Sequence, residues 1–275
     1  MTDNTAGTLR GSKLADKPLA GPNSLAFRLS RYFTGRDAAV LTLVLILGFL
    51  AVYPLAMLFY GSLHSTPPGM AGEFNLDGYR SIFTASNMVV LLNTVGISLA
   101  KTIPALLMAV LLAWIVARTD TPYRDKLEVL IPLPFFVPPI LTAMAWGMLG
   151  NPQVGLLNQV WKWATGSQTS IINVYSYGGV VWHMIQYSTP FLFLFIVDIF
   201  RAMDPSLEES SRMCGASRWR TFRNITLMLM LPALTNSFIL SFIRGIESFE
   251  SPLFFGTPAK ITVITTEIYN SINHR

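Results

Sequence analysis

Any chemistry in this 275-residue chain must come from a small set of side chains. Lys101, Asp198 and Arg244 fall inside long apolar runs, and Glu247 and Glu250 follow closely on one of them. An ionised group in hydrocarbon is costly, so each calls for a partner, a water-filled route or a place at a helix end. Lys101 could face a pathway, pair with a carboxylate, or mark a displaced helix boundary. Asp198 is close enough to the end of its run to reach water. Arg244 and Glu247 are three apart and can pair on one helix face. Glu247 and Glu250 are expected near the outer mouth of their span. Two acids there could attract a cation, or reduce to one ion pair plus one solvated acid. Metal or acid–base catalysis has no comparable set. His64, His183 and His274 are far apart and lack ligand spacing, so structural or loop roles are expected for them. The one cysteine, Cys214, excludes an internal disulfide. No G-x-x-x-x-G-K-[ST] loop is present to cradle a nucleotide. No catalytic residue, metal or cofactor is expected.

The elements that would position these groups are membrane spans. Apolar residues make up 52% of the chain and charged residues only 13%, against about 25% charged in a soluble domain. The mean hydropathy of +0.47 agrees. This balance excludes an ordinary cytosolic enzyme, a disordered chain and a disulfide-built secreted domain. A crossing helix needs about 20 apolar residues. Five runs qualify: Ala38 to Tyr60, Met88 to Val116, Val129 to Leu149, Gly178 to Phe200, and Ile225 to Ile246. Pro104, Pro132, Pro134, Pro138, Pro139 and Pro190 lie in or beside them. Their freed carbonyls call for packing against protein rather than lipid. Residues 1–37 read as a disordered, basic tail. The run that follows is too long and too late for a cleaved signal peptide.

Basic residues mark the cytoplasmic side of a membrane protein. Arg10, Lys13, Lys17, Arg28, Arg31 and Arg36 precede the first span. Arg118, Arg124 and Lys126 follow the second, and Arg201, Arg212, Arg218, Arg220 and Arg223 follow the fourth. These are most of the 20 basic residues. They place the N-terminus inside. The net charge of +5 therefore reflects orientation, and no nucleic-acid partner is expected.

The loop at 201–224 is the most informative segment. Asp204-Pro205-Ser206 reads as a helix start, with a capping residue and an early proline. Glu208 and Glu209 then fall near the positive end of the helix dipole. Gly215 suits a C-cap or sharp turn. A second short helix, Trp219 to Asn224, is expected to lead into the last span. Two short helices joined at a glycine would make either an interfacial connector or a docking knob for a soluble partner.

Glu209, Ser210 and Ser211 are followed after three residues by Gly215, Ala216 and Ser217, and Ile225 and Leu227 come after nine residues that follow the glycine. This pattern resembles the EAA motif of permease subunits in binding-protein-dependent ABC importers. Serine stands at both alanine places, and Met228 at the final proline place, with Pro232 one turn later. Asn93-Thr94, Ala113-Trp114, Arg118-Thr119-Asp120-Thr121-Pro122, Leu133-Pro134, Pro138-Pro139, Ala145-Trp146, Asn151-Pro152, Gly155-Leu156-Leu157-Asn158 and Glu250-Ser251-Pro252 extend the resemblance over roughly 38–275. It implies an all-α type I ABC importer transmembrane domain, with a methionine-importer-like permease fold. By the same resemblance 201–224 is a coupling loop, in which Glu208, Glu209, Ser210, Ser211, Gly215 and Ala216 seat in a groove of a separate ABC ATPase. Glu209 and Gly215 would then be the most sensitive to substitution. A periplasmic solute-binding protein and a second permease half, as a homodimer or fused repeat, are the other implied partners, in the bacterial inner membrane.

The iron permeases are the most similar branch, which implies ferric iron as cargo. Polyamine, thiamine or phosphonate are the alternatives within the class. A membrane enzyme would need paired acids or histidines at one depth on facing helices, and a scaffold would need no transport partners. Permeases of this branch add a span after the Glu-Ser-Pro segment. Here only ITVITTEIY remains, too short and too polar to cross. The expectation is five spans and a missing sixth, the chain being the N-terminal part of a longer or two-repeat protein.

Overall fold

In a computed structural model of the protein, residues 35–66, 70 and 72–273 are described. Most of the expected tail, residues 1–34, lies outside them. The chain divides into two compact units, Met1–Arg80 and Ser81–Arg275.

In the first unit, helix α1 (Gly35–Ser62) runs for 28 residues, about 42 Å at 1.5 Å per residue. It begins at Gly35, so the last residues of the expected tail are already helical. Apolar side chains surround it, as suits a helix that meets lipid. It ends in a turn closed by an isolated bridge between His64 and Phe74. The short helix α2 (Asp77–Ser81) follows.

The second unit is built on three long helices: α3 (Ala85–Arg118), α7 (Tyr177–Ala202) and α10 (Leu227–Ile246). Ala105, Ala109 and Ala113 recur every four residues on α3 and are fully buried. That stripe lets the backbones approach closely, which is how helices associate where lipid removes the hydrophobic drive. Leu192, Phe193, Ile196 and Phe200 of α7 and Met230 of α10 fill the space opposite. Arg118 at the end of α3 donates from Nη2 to the Met203 carbonyl just past α7, at 2.7 Å. The two helices therefore run parallel, and α10 returns antiparallel.

The third apolar run is not one straight helix. It forms α4 (Arg124–Leu130), a 3-10 turn over Leu133–Phe136, and α5 (Pro139–Leu149), with an 88° bend between the two halves. Pro132, Pro134, Pro138 and Pro139 remove four amide donors within eight residues, so no continuous helix can form there. The bent pair nevertheless follows the length of α7. Glu128 pairs with Arg201 near its last turn. Phe135 meets Phe191 at 5.5 Å between ring centroids, and Trp146 meets Trp182 at 6.2 Å. The Val174 amide then donates to the Gly150 carbonyl at 3.4 Å, just before α7 begins. This is a broken span that reaches both ends of the bundle. Among the described residues, four helices are long and apolar enough to cross a bilayer, and the bent pair, counted as one span, would be a fifth.

Beyond the bent pair, α6 (Leu156–Thr165) lies beside a loop held by one amide. Asn158 is fully buried. Its Nδ2 donates to the carbonyls of Asn151 (2.9 Å) and Ile172 (2.8 Å), and its Oδ1 accepts the amides of Ile171 and Ile172, both at 3.0 Å. Asn93 and Thr94 sit inside α3 rather than at its start. Asn93 Nδ2 donates to the Thr262 carbonyl at 3.1 Å, and Thr94 Oγ1 accepts the Ile264 amide at 2.9 Å. They pin the start of α11 (Ile264–Asn273), ten residues long and too short to span.

Candidate functional site

Helix α8 (Ser206–Met213) occupies the loop between α7 and α10. Asp204 Oδ1 accepts the Ser206 amide at 2.9 Å, an Asx turn that sets the helix start. That hydrogen bond holds the Asp204 carboxyl below its ordinary value. At the other end Gly215 has φ +84°, a conformation that disfavours any side chain, and the Ala216 amide bonds back to the Ser211 carbonyl at 3.2 Å. The glycine turn is therefore a backbone requirement.

The expected second short helix is not separate. α9 (Arg218–Thr221) passes through a π-helical turn (Phe222–Thr226) straight into α10, giving one helix from Arg218 to Ile246. Nothing between Thr221 and Leu227 stops a helix, so the break expected there does not occur. The irregularity is the π turn, in which the Leu227 amide bonds the Phe222 carbonyl.

The coupling-loop residues divide by facing. Glu209, Ser210 and Gly215 are exposed, while Glu208, Ser211 and Ala216 are half-buried. Glu208 Oε1 accepts the Thr226 hydroxyl at 2.8 Å and lies 3.6 Å from Arg118 Nε. Ser211 Oγ and Thr221 Oγ1 are 3.1 Å apart. Glu208 and Ser211 share one face of α8, three residues apart. Thr221 and Thr226 are five apart, which an ordinary helix would turn well away from each other. The π turn's five-residue bond brings them into line opposite α8.

A polar seam runs between the three long helices. Lys101 is fully buried in α3. Its Nζ donates to Ser241 O at 2.6 Å, Ser241 Oγ at 3.0 Å and Ser188 Oγ at 3.3 Å. Three donors meet three acceptors, but no carboxylate lies within ion-pair distance among the described residues. Of the three readings open for Lys101, the displaced boundary fails because α3 continues to Arg118, and the carboxylate pair fails for want of an acid. Gly245 of α10 makes the approach possible: a Cβ there would come within 2.9 Å of Lys101 Cε and of Ser98 Cβ and Oγ.

Glu247 and Glu250 meet at the kink of the broken span. With Phe135, Pro139, Tyr187, Arg244 and Ser248 they line a cavity of about 360 Å³. Tyr187 is ten residues, about 15 Å along the helix, from the start of α7. The expected Arg244–Glu247 ion pair does not form among the described residues. Glu247 is the first residue past α10, and the Arg244 guanidinium sits 5.0 Å from the Phe191 ring centroid instead.

His183 binds three elements together. Its Nδ1 is 2.7 Å from Ser251 Oγ and its Nε2 is 2.9 Å from Thr142 Oγ1. Thr142 already donates to the Pro139 carbonyl, so it accepts from Nε2–H, and neutral His183 then accepts from Ser251 at Nδ1. Neither Ser251 nor Thr142 was singled out as a partner from sequence, because each is far from His183 in the chain. His64 bonds the Tyr60 carbonyl at 2.9 Å, and His274 lies outside the described residues. Among the described residues no group of three His, Cys, Asp or Glu could hold a metal.

Comparison with known proteins agrees with this architecture. The ferric transport system permease protein FbpB of Actinobacillus pleuropneumoniae is 27% identical over 242 residues, 84% of this chain but 32% of that protein. The chain thus spans about a third of that relative's length. The molybdate/tungstate transport system permease protein WtpB of Thermococcus kodakarensis is 29% identical over 184 residues, 66% of this chain and 67% of that one. The sulfate transport system permease protein CysT of Escherichia coli is 28% identical over 157 residues, 57% and 54% of the two chains. A crystal structure of a bacterial alginate ABC transporter, in complex with alginate pentasaccharide-bound periplasmic protein, superposes with TM-score 0.70 at 20% identity, over 86% of this chain and 83% of that one. At that identity the likeness shows the fold, which is all-α and of the ABC transporter permease kind. Residues 93–274, from the third turn of α3 through the broken span and the α8 loop to the end of α11, match the family described as "Binding-protein-dependent transport system inner membrane component", and the chain belongs to it.

Proposed function

We propose that the protein is the permease subunit of an ATP-driven importer of the bacterial inner membrane, with an inside N-terminus. The observation that carries the reading is the α8 loop. It is a short helix with a fixed glycine turn, built between two spans, and it presents Glu209, Ser210 and Arg212 outward. A separate ABC ATPase would bind that surface. A periplasmic solute-binding protein would deliver the cargo at the opposite end, and a second permease half, as another copy or a fused repeat, would complete the pathway. The chain itself has no phosphate-binding loop, so ATP hydrolysis falls to the partner.

Ferric iron is the favoured cargo. The ferric relatives align over 84% of the chain, the widest coverage among these permeases, and the kink cavity holds two acids against one arginine. Arg244 in the same cavity, and relatives named for sulfate and molybdate, favour an oxyanion as the second reading.

Glu209→Lys tests the docking role. The variant is expected to insert normally and to lose most of its co-purifying ATPase, because it reverses a charge on the outward face. Wild-type association and transport would remove Glu209 from the docking surface.

A further inference from the structure

We infer that Glu208 and Arg118 form an internal clasp through which displacement of α8 reaches the three long helices together, a positioning role distinct from docking. This rests on the permease reading above. Three elements meet at one carboxylate. Arg118, the last residue of α3, holds Met203 at the end of α7 through Nη2, at 2.7 Å. The same guanidinium pairs with Glu208 at 3.6 Å through Nε, an atom that is buried and has no hydrogen-bond partner. Glu208 in turn accepts the Thr226 hydroxyl at 2.8 Å from the π turn that begins the last span. One carboxylate on α8 thus touches α3 and the α10 helix directly, and α7 through the arginine.

Both charged side chains are largely removed from solvent, at 12% and 16% exposed. Screening by salt is weak at that depth, so the pair resists separation more than a surface pair does. A push on α8 is then passed to the helix ends instead of bending the loop. Glu209, the neighbouring acid, faces outward and makes none of these contacts. Two adjacent glutamates therefore divide the work: one meets the partner, the other holds the spans. The π turn serves the clasp, because it brings Thr226 under Glu208 while Thr221 stays under Ser211. π turns are rare and recur at functional positions.

The test uses the single cysteine. Cys214 is exposed at the end of α8 and takes one spin label, and Met228→Cys, exposed on α10, takes the second. The full chain is purified with its co-purifying ATPase, and the inter-label distance is measured before and after trapping with MgATP and vanadate. With the clasp intact, one distance is expected that trapping leaves unchanged. In Glu208→Gln the ATPase still co-purifies, but trapping produces a second distance as α8 moves without α10. Arg118→Glu combined with Glu208→Arg gives up the donor to the Met203 carbonyl but re-forms the charge pair between α3 and α8, and it should restore the single α8–α10 distance, which a merely structural role would not do. Thr226→Val should give the same change to a smaller extent, and it serves where Glu208→Gln does not insert. An unchanged distance in trapped Glu208→Gln or Thr226→Val, with ATPase bound, would overturn the clasp alone. Loss of the ATPase from Glu208→Gln only would also overturn it, by making Glu208 a docking contact. Absence of ATPase from the unsubstituted chain would sink the permease reading and the clasp with it.

Discussion

Lys101 shows how a buried charge can be fully hydrogen-bonded and still uncompensated. Its three bonds satisfy every N–H, yet among the described residues no acid lies within ion-pair distance. The approach of α10 to that ammonium depends on Gly245. Gly245→Ala would place a Cβ 2.9 Å from Ser98 Cβ, which cannot swing aside as the lysine tail can. Overpacking of this kind costs about 1–3 kcal/mol. Thermal unfolding in detergent should show a lower midpoint for Gly245→Ala, and Ser98→Gly should recover part of it, since contacting sites are non-additive. An unshifted midpoint would mean that α10 can draw back without loss. Glu247 and Glu250 allow a second residue-scale prediction. Their cavity also contains Arg244, so removing both acids reverses the sign of its formal charge. Glu247→Gln with Glu250→Gln should slow Fe³⁺ uptake at unchanged protein level by lowering local cation attraction. Unaltered kinetics would leave the acids with a structural role only.

At the level of elements, packing in the second unit depends on side chains being small on one face. Ala105, Ala109 and Ala113 are each fully buried against the bulky α7 face. Ala109→Leu would force α3 and α7 apart, costing about 1–3 kcal/mol. Limited proteolysis should then cut the α8 loop faster, since the Arg118–Met203 bond depends on that contact. Equal cutting rates would mean that the helix ends are held independently of the stripe. The α8 loop was legible in sequence because its signals are local: Asp204 two residues before the helix start, and a glycine at the turn. The proline cluster announced trouble in the third run, but hydropathy has no term for direction, so an 88° bend read as one straight span. The α9–α10 junction misled in the opposite way, since charged residues suggested a boundary where the backbone has no stop signal. The Lys101 seam was not legible in its partners. Ser188 and Ser241 lie 87 and 140 residues away, and nothing local marks which serine will face a lysine. The facing of Glu208 and Glu209 was equally hidden, because it depends on a π turn some fifteen residues downstream.

On the scale of the whole second unit, charge is distributed by end. The starts of α3 and α7 and the end of α10 share one end, with α6 and α11 beside them. The end of α3, the end of α7 and the α8 loop share the other. Arg118, Arg124, Lys126, Arg201, Arg212, Arg218, Arg220 and Arg223 cluster at the α8 end, whereas among the described residues outside the spans Lys162, on α6, and Lys260 are the basic ones at the opposite end. Basic residues in short loops near span ends are held on the cytoplasmic side. The broken span supports the same division, because it carries the chain from Glu128 beside Arg201 to Gly150 beside Val174, and so keeps the α6 loop away from the basic end. The α8 surface should therefore face the compartment that holds ATP. The chain's one cysteine makes this directly measurable. Cys214 is exposed on the α8 loop, and Trp163 on α6 at the opposite end is 87% exposed. In intact cells with the outer membrane permeabilised, a membrane-impermeant maleimide should leave Cys214 unlabelled, and should label it once the inner membrane is opened. A Cys214→Ser, Trp163→Cys chain should label without that opening. Labelling of Cys214 in sealed cells would reverse the orientation, and the α8 loop would then have no route to an ATPase.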